Sequence, residues 1–274
     1  PVGYLFIFGQ QGTTGSVMSN DGGIKTEFLI DSSGVAEIMV PNSQFLSPSG
    51  QRLDKAMLVY ASNPVSAYFL NREQYTTDMT NLLDVGALVM HYRVLDWNHS
   101  AGDIQMSFTA LEDGTTVRVT PSVALSQGNH QAGVPFDVQI NKGQSYIYTA
   151  YSRIDITGTI LDSNKPIAVF SGAQCSNVPT RAGYCDHLFT QLPPVEHWAD
   201  TYAVPKTANT GTVGNLVRIL SDRDGNKISI NGTEVATLDA GKFYEQIVAE
   251  DLSISTTYPV LVGQFLKGST VTTG

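Results

Sequence analysis

The amino-acid sequence predicts an all-β fold, and three observations carry that prediction. Apolar and polar residues alternate with period two over many short runs, which turns one side of each run toward a core. The dipeptide Asp-Gly recurs at Asp21-Gly22, Asp113-Gly114 and Asp224-Gly225, each time just ahead of a β-rich run. Asp-Gly supplies the positive φ values of a two-residue hairpin turn. Charged residues make up only 15 % of the 274, against 42 % hydrophobic. The usual charged share is about 25 %, so a long charged helix is excluded, and so is a disordered chain.

The elements follow in chain order. Gly3-Tyr4-Leu5-Phe6-Ile7-Phe8 reads as the first strand. Val117-Arg118-Val119-Thr120, Phe136-Asp137-Val138-Gln139-Ile140 and Tyr146-Ile147-Tyr148-Thr149 alternate, as do Ile228-Ser229-Ile230 and Leu252-Ser253-Ile254-Ser255. Val, Ile, Thr, Tyr and Phe fill these runs, as a pleated half-buried surface requires. Three further strands open on a proline, at Pro64-Val65, Pro166-Ile167 and Pro259-Val260. The missing N–H costs nothing at a strand's first residue. Lys142-Gly143-Gln144 and Ala240-Gly241-Lys242 mark matching hairpins. Helical signals are few. Gln74 to Leu88 and Asp186 to Trp198 each have room for one short helical turn, and Pro193-Pro194 blocks a longer one.

These landmarks recur, which divides the chain into three pseudo-repeats of about 90 residues. Their limits are about 1–77, 78–185 and 186–274, and Asp78 to Leu83 resembles Asp186 to Leu192. No Pro- or Ser-rich linker separates them. The expected architecture is one large domain over 1–274, its units packed in sandwich-like or propeller-like layers that cover each other's strand edges.

Lys and Arg number 16 against 25 Asp and Glu, a net charge of −9. Nucleic acid is excluded as a partner, because binding it needs clustered cations, and no apolar run of about 18 residues is present to insert in a membrane. The chain opens on Pro1 and runs straight into a strand, so it reads as a piece of a larger or processed chain with any signal peptide already gone. Cys175 and Cys185 admit two readings: a disulfide closing a small loop in an oxidising compartment, or free thiols, with His187 as a further ligand of half a metal site. No second Cys pair exists to complete a zinc site, so a disulfide is expected. The sequons Asn98-His99-Ser100 and Asn231-Gly232-Thr233 agree with an extracellular protein, although Asn231-Gly232 is also a hairpin dipeptide.

Chemistry is sparse. Asp186-His187, with Glu196-His197 nearby, is the most catalytic-looking cluster. No Gly-x-Ser-x-Gly elbow accompanies it, and Asp186 capping a turn beside a locally bonded His187 accounts for it. Asp222, Asp224 and Asn226 resemble the start of a calcium loop but lack the closing bidentate Glu. A hairpin turn explains them, so neither a metal nor a cofactor is expected. Trp97, Trp198, Tyr184 and Tyr151 could stack on sugar rings. Trp97 is expected at the surface, because it lies beside Asp96 and a sequon in a stretch without alternation. Arg181 and Tyr184 lie between the two cysteines. With Trp97 they form the expected contact surface.

The run Lys165-Pro166-Ile167-Ala168-Val169-Phe170-Ser171-Gly172, then Cys175-Ser176-Asn177-Val178-Pro179, then Cys185-Asp186-His187-Leu188-Phe189-Thr190-Gln191-Leu192-Pro193-Pro194-Val195 with Trp198 resembles the signature of the IgG-Fc-binding-protein N-terminal domain family. Glu112-Asp113-Gly114-Thr115-Thr116-Val117 and Asn231-Gly232-Thr233 extend the likeness. The first unit departs most, having no cysteine pair. The resemblance implies a non-enzymatic extracellular adhesion or matrix module of a larger secreted mucus-type or bacterial surface protein. Its partners would be extracellular proteins or glycans, or neighbouring copies of itself. The alternatives are a structural subunit of an extracellular fibre, a carbohydrate-binding module and, last, a hydrolase.

Overall fold

The computed structural model describes residues 2–46, 50–97, 104–125, 127–150, 154–180, 182–207 and 214–268. The fold is all-β, and its strands are antiparallel throughout. The first stretch holds β1 (Val2–Gly9), β2 (Thr14–Ser19), β3 (Lys25–Leu29), β4 (Val35–Val40), β5 (Arg52–Leu53), β6 (Met57–Ala61), β7 (Val65–Glu73) and β8 (Thr76–Leu82). The second holds β9 (His91–Arg93), β10 (Ile104–Ala110), β11 (Thr115–Thr120), β12 (Phe136–Ile140), β13 (Ser145–Ala150), β14 (Ile160–Ser163) and β15 (Ile167–Ser176). The third holds β16 (Asp186–Leu192), β17 (Ala199–Val204), β18 (Asn215–Ser221), β19 (Asn226–Ile230), β20 (Thr233–Leu238), β21 (Phe243–Val248) and β22 (Leu252–Phe265). Single 3-10 turns at Val85–Ala87 and Val195–His197 occupy the two places where a helical turn was expected. Among the described residues no helix is long and apolar enough to cross a membrane.

Alternation builds the layers. Sheet β4-β1-β7-β8 faces sheet β3-β2-β6. The inward residues Leu5, Ile7, Ile38 and Val40 meet Val17 and Phe28 in one apolar cluster. Sheet β16-β15-β10-β13-β5 faces sheet β12-β11-β14-β9. Their cluster joins Ile104, Met106, Phe108 and Val169 to Val117, Val119, Ile140 and Leu161. Both pairs are sandwiches. In the third stretch five strands and the 14-residue β22 form one six-stranded sheet that curls as a half-barrel. Strand β22 pairs with β17 and β19 through its first half and with β18 through its second. Val217, Ile219, Ile228 and Ile254 fill its inside.

The stretches exchange strands at their borders. β5 pairs with β13, and β16, which opens at Asp186, pairs with β15. β8 then meets β16 through side chains. Thr76 Oγ1 accepts from the backbone N–H of His187 at 2.9 Å, Asp78 Oδ2 from that of Phe189 at 2.8 Å, and Thr80 Oγ1 from that of Gln191 at 2.8 Å. Three short polar residues at alternate positions of β8 thus stand in for a backbone ladder and satisfy an edge that would otherwise be open. Strand β18 is buried along its whole length. Val217 and Ile219 face the half-barrel, Leu220 belongs to the second stretch's core, and Leu216 packs with Trp97. Burial on both faces explains why Leu216-Val217-Arg218-Ile219-Leu220 does not alternate.

Candidate binding surface

Cys175 and Cys185 are paired, with their Cα atoms 5.0 Å apart. The loop they close is fastened on its inner side. Asn177 Nδ2 donates to Ala182 O at 2.8 Å, and Gly268 N donates to Val178 O at 2.8 Å. Trp97 Nε1 donates to Asn177 O at 2.9 Å. Trp97 itself is 2 % exposed, among Val178, Leu216 and Phe265. That corrects the expectation of a surface Trp97. Its polar neighbour Asp96 is buried too, inside a hydrogen-bonded network, so adjacency to polar residues did not mean exposure. Trp97 is the seat of the stapled loop and is not available to a partner. Trp198 is likewise buried, in the second stretch's core, with Nε1 donating to Pro193 O. Tyr184 is 71 % exposed on the loop's outer side. Arg181, Tyr151 and Asn98 lie outside the described residues. Asn231 is exposed at a turn of φ +49°, and its Oδ1 accepts from Ser253 N.

The other candidates resolve into fold chemistry. Thr76 Oγ1 bonds both Asp186 and His187 Nδ1. Burial lowers His187 and raises Asp186 and Asp78, so each is biased toward its neutral form. Glu196 and His197 are exposed beyond the opposite end of β16, so the four residues do not converge. Asp222 accepts from Arg93 Nε at 2.7 Å, and His91 bridges it to Asp162. The bond to Asp222 raises His91, burial opposes, and Asp162 adds to the rise, bringing it to about 9. Asp162 is the nearer partner, at 2.5 Å against 3.5 Å, but Asp222 is the less exposed of the two. Asp224 accepts from Ala240 N, and buried Asn226 bonds Ser221 and Tyr258. The three oxygens of the supposed calcium loop point to three different places. Among the described residues no group of three or more His, Cys, Asp or Glu could hold a metal ion.

Sequence reasoning missed two features. One is Arg218, 1 % exposed in the middle of β18. Its Nη1 donates to Asp96 O at 2.6 Å, Asp155 Oδ2 at 2.9 Å and Thr157 Oγ1 at 3.0 Å, and its Nη2 to Glu245 Oε2 at 2.8 Å. The guanidinium lies 3.9 Å from the ring centroid of Phe243 and 4.9 Å from that of Trp97. Burial pushes the Asp96 carboxyl well above its ordinary range. This hub ties the second stretch to the third beneath the loop. The signal for it was a lone cation in an apolar run.

The other is the outer face of β4-β1-β7-β8. Inward Leu5 and Ile7 alternate with outward Val2, Tyr4, Phe6 and Phe8. Register places Tyr4 between Met39 and Leu70, with Met79 beyond, and Phe6 beside Tyr68. Phe8 meets Tyr68 edge-on at 5.7 Å, and Tyr4 stacks on Phe6 at 6.3 Å. Val2, Phe8, Met39 and Met79 are exposed, and the rest are half-buried. A solvated sheet face is normally polar. Strand spacing and rise give this one roughly 400 Å2, the size of the largest apolar patch on an ordinary monomer, which is often functional.

The profile of the IgGFc binding protein family matches residues 78–274. The human IgGFc-binding protein is 29 % identical over 159 residues, which is 56 % of this chain and 3 % of that protein. The chain therefore spans a small fraction of that relative's length. A solved structure of a Ca2+-stabilised adhesin, with which an Antarctic bacterium reaches out and binds ice, is 14 % identical. It covers 93 % of this chain and 64 % of its own, with a TM-score of 0.17, and at that score the likeness carries no argument. With well over half of its residues under the profile, the chain belongs to the IgGFc binding protein family.

Proposed function

We propose that this chain is a non-enzymatic adhesion or matrix module of a larger secreted or surface protein, docking an extracellular protein on the outer face of β4-β1-β7-β8. The family is one of extracellular binding proteins, and the disulfide is consistent with that location. The observation that carries the reading is the aromatic outer face of a sheet whose inner face is already fully used. A standard interface buries about 800 Å2 per partner, so the face would be the apolar core of one, with the flanking loops as its polar rim. The relative's name makes IgG Fc the first partner to try.

Surface plasmon resonance on immobilised chain tests this, with Fc and then a panel of extracellular matrix and mucin proteins as analytes. The double variant Phe6→Ser, Tyr68→Ser should weaken binding at least tenfold, the scale of about 1.4 kcal/mol, and leave the melting temperature nearly unchanged. Leu5→Ala, one position away but 1 % exposed, should instead cost about 2–5 kcal/mol of stability. Undiminished binding by the double variant would refute docking on this face.

A further inference from the structure

The hairpin between β7 and β8 turns through Gln74 and Tyr75, because Glu73 pairs with Thr76. Tyr75 has φ +90°. At that turn position Gly or Asn is usual, since a Cβ is strained there. Every other positive-φ residue among those described is a Gly or an Asn. Tyr75 gains no burial in return: it is 94 % exposed. A strained, fully exposed aromatic residue adds nothing to folding that glycine would not supply more cheaply, and such outliers collect at ligand sites.

Tyr75 stands at a shallow pocket of about 560 Å3 lined by Val2, Tyr4, Arg72, Gln74, Thr76 and Thr77, together with Glu73. Gln74 Nε2 donates to the Tyr75 hydroxyl at 3.0 Å and steadies the ring. Tyr4 supplies a second ring. Aromatic faces suit the C–H face of a pyranose, and the surrounding amide and hydroxyl groups suit its hydroxyls. Arg72 is exposed, and among the described residues it has no ion-pair partner. Its planar fork matches a carboxylate. The opening is shallow, unlike the enclosed apolar pockets that take drug-like ligands.

We infer that this hairpin pocket is a saccharide-binding site for an acidic sugar residue, with Tyr75 as the stacking platform and Arg72 as the carboxylate clamp. It goes beyond protein docking on the sheet. Val2 and Tyr4 belong to both surfaces, but Tyr75 belongs to the pocket alone and Phe6 and Tyr68 to the face alone, so the two readings fail separately.

The test is a saturation-transfer and chemical-shift titration of the 274-residue chain with 3′-sialyllactose, with lactose and glucuronic acid in parallel. Saturable binding of sialyllactose near 1 mM is expected, with shifts at Tyr75 and Tyr4 and at least fivefold weaker binding of lactose. Tyr75→Gly should weaken binding at least tenfold while the melting temperature holds or rises, because glycine relieves the positive φ. Arg72→Gln should remove the preference for the acid. The double variant Phe6→Ser, Tyr68→Ser should bind the sugar as the parent does. No saturable binding up to about 20 mM, or binding unchanged in Tyr75→Gly, overturns the site. Equal affinity for lactose and sialyllactose overturns its acidic specificity.

Discussion

Arg218→Met removes the charge of the hub and keeps much of the stem's volume. Wild-type Arg218 is desolvated, and four oxygens and two rings compensate for that. Losing the cation leaves Asp155 facing a buried carbonyl with no counter-charge, and Asp155 is only 19 % exposed at its side chain. Removing one partner of a buried ion pair costs about 3–5 kcal/mol. The lower end applies here, because Glu245 is 39 % exposed at its side chain and regains water. With a urea slope near 3 kcal/mol/M for a chain of this size, about 3 kcal/mol lowers the midpoint by roughly 1 M. Arg218→Lys should recover less than half of that, since an ammonium cannot reach Asp155 and Glu245 as a fork does. Glu245→Gln should stay under about 1 kcal/mol. Because Trp97 lies against Arg218 and carries the Cys175–Cys185 loop, limited proteolysis of Arg218→Met should cut first inside that loop. A midpoint within about 0.3 M of wild type, with the loop still protected, would show that the hub is not a structural tie.

Two further outcomes are expected. The double variant Cys175→Ser, Cys185→Ser opens a loop of sequence separation 10, worth about 3 kcal/mol in the chain-entropy model; calorimetry should show a melting temperature roughly 6–12 °C lower, and a change under about 2 °C would mean that the bonds from Trp97 and Gly268 hold the loop alone. His91 is raised from 6.5 to about 9 in the folded state, so the folded state holds the proton more tightly. Its contribution is full below about pH 6.5 and is lost as pH rises through about 9, a decline on the order of 1–2 kcal/mol after screening. Denaturation midpoints at pH 6.5 and 9.5 should show the decline in wild type, and His91→Gln should remove it.

The all-β class, the glycine turns and the strands that start just after Pro64 and Pro166 were legible because each depends on residues adjacent in sequence, whereas Pro259, expected to open a strand, lies inside the 14-residue β22. Gly114 and Gly225 turn with the positive φ that glycine favours, but β10 does not pair with β11 nor β18 with β19. These turns carry the chain on to a new partner strand and are not the hairpins expected, whereas Asn231-Gly232 does close a two-residue hairpin between β19 and β20. What was not legible depends on partners far along the chain. Trp97 was misplaced because its neighbours are polar, yet Asp96 is bonded by Thr157, 61 residues away, and its carbonyl accepts from Arg218, 122 residues away. Arg218 itself carried the missing information. A guanidinium between Val217 and Ile219 cannot be buried unpaired, so its position in an apolar strand required carboxylates from elsewhere in the fold. The candidate face was written more openly still. Val2 to Phe8 contains no charged side chain and no polar one but the Tyr4 hydroxyl, although only Leu5 and Ile7 point into the core. A strand that needs one apolar face and has two is either covered on both sides, as β18 is, or open to a partner. The sequence alone does not separate those cases. The exposure of Phe8 and Met39 does: the outer face of β1 is uncovered among the described residues, as the proposed docking requires.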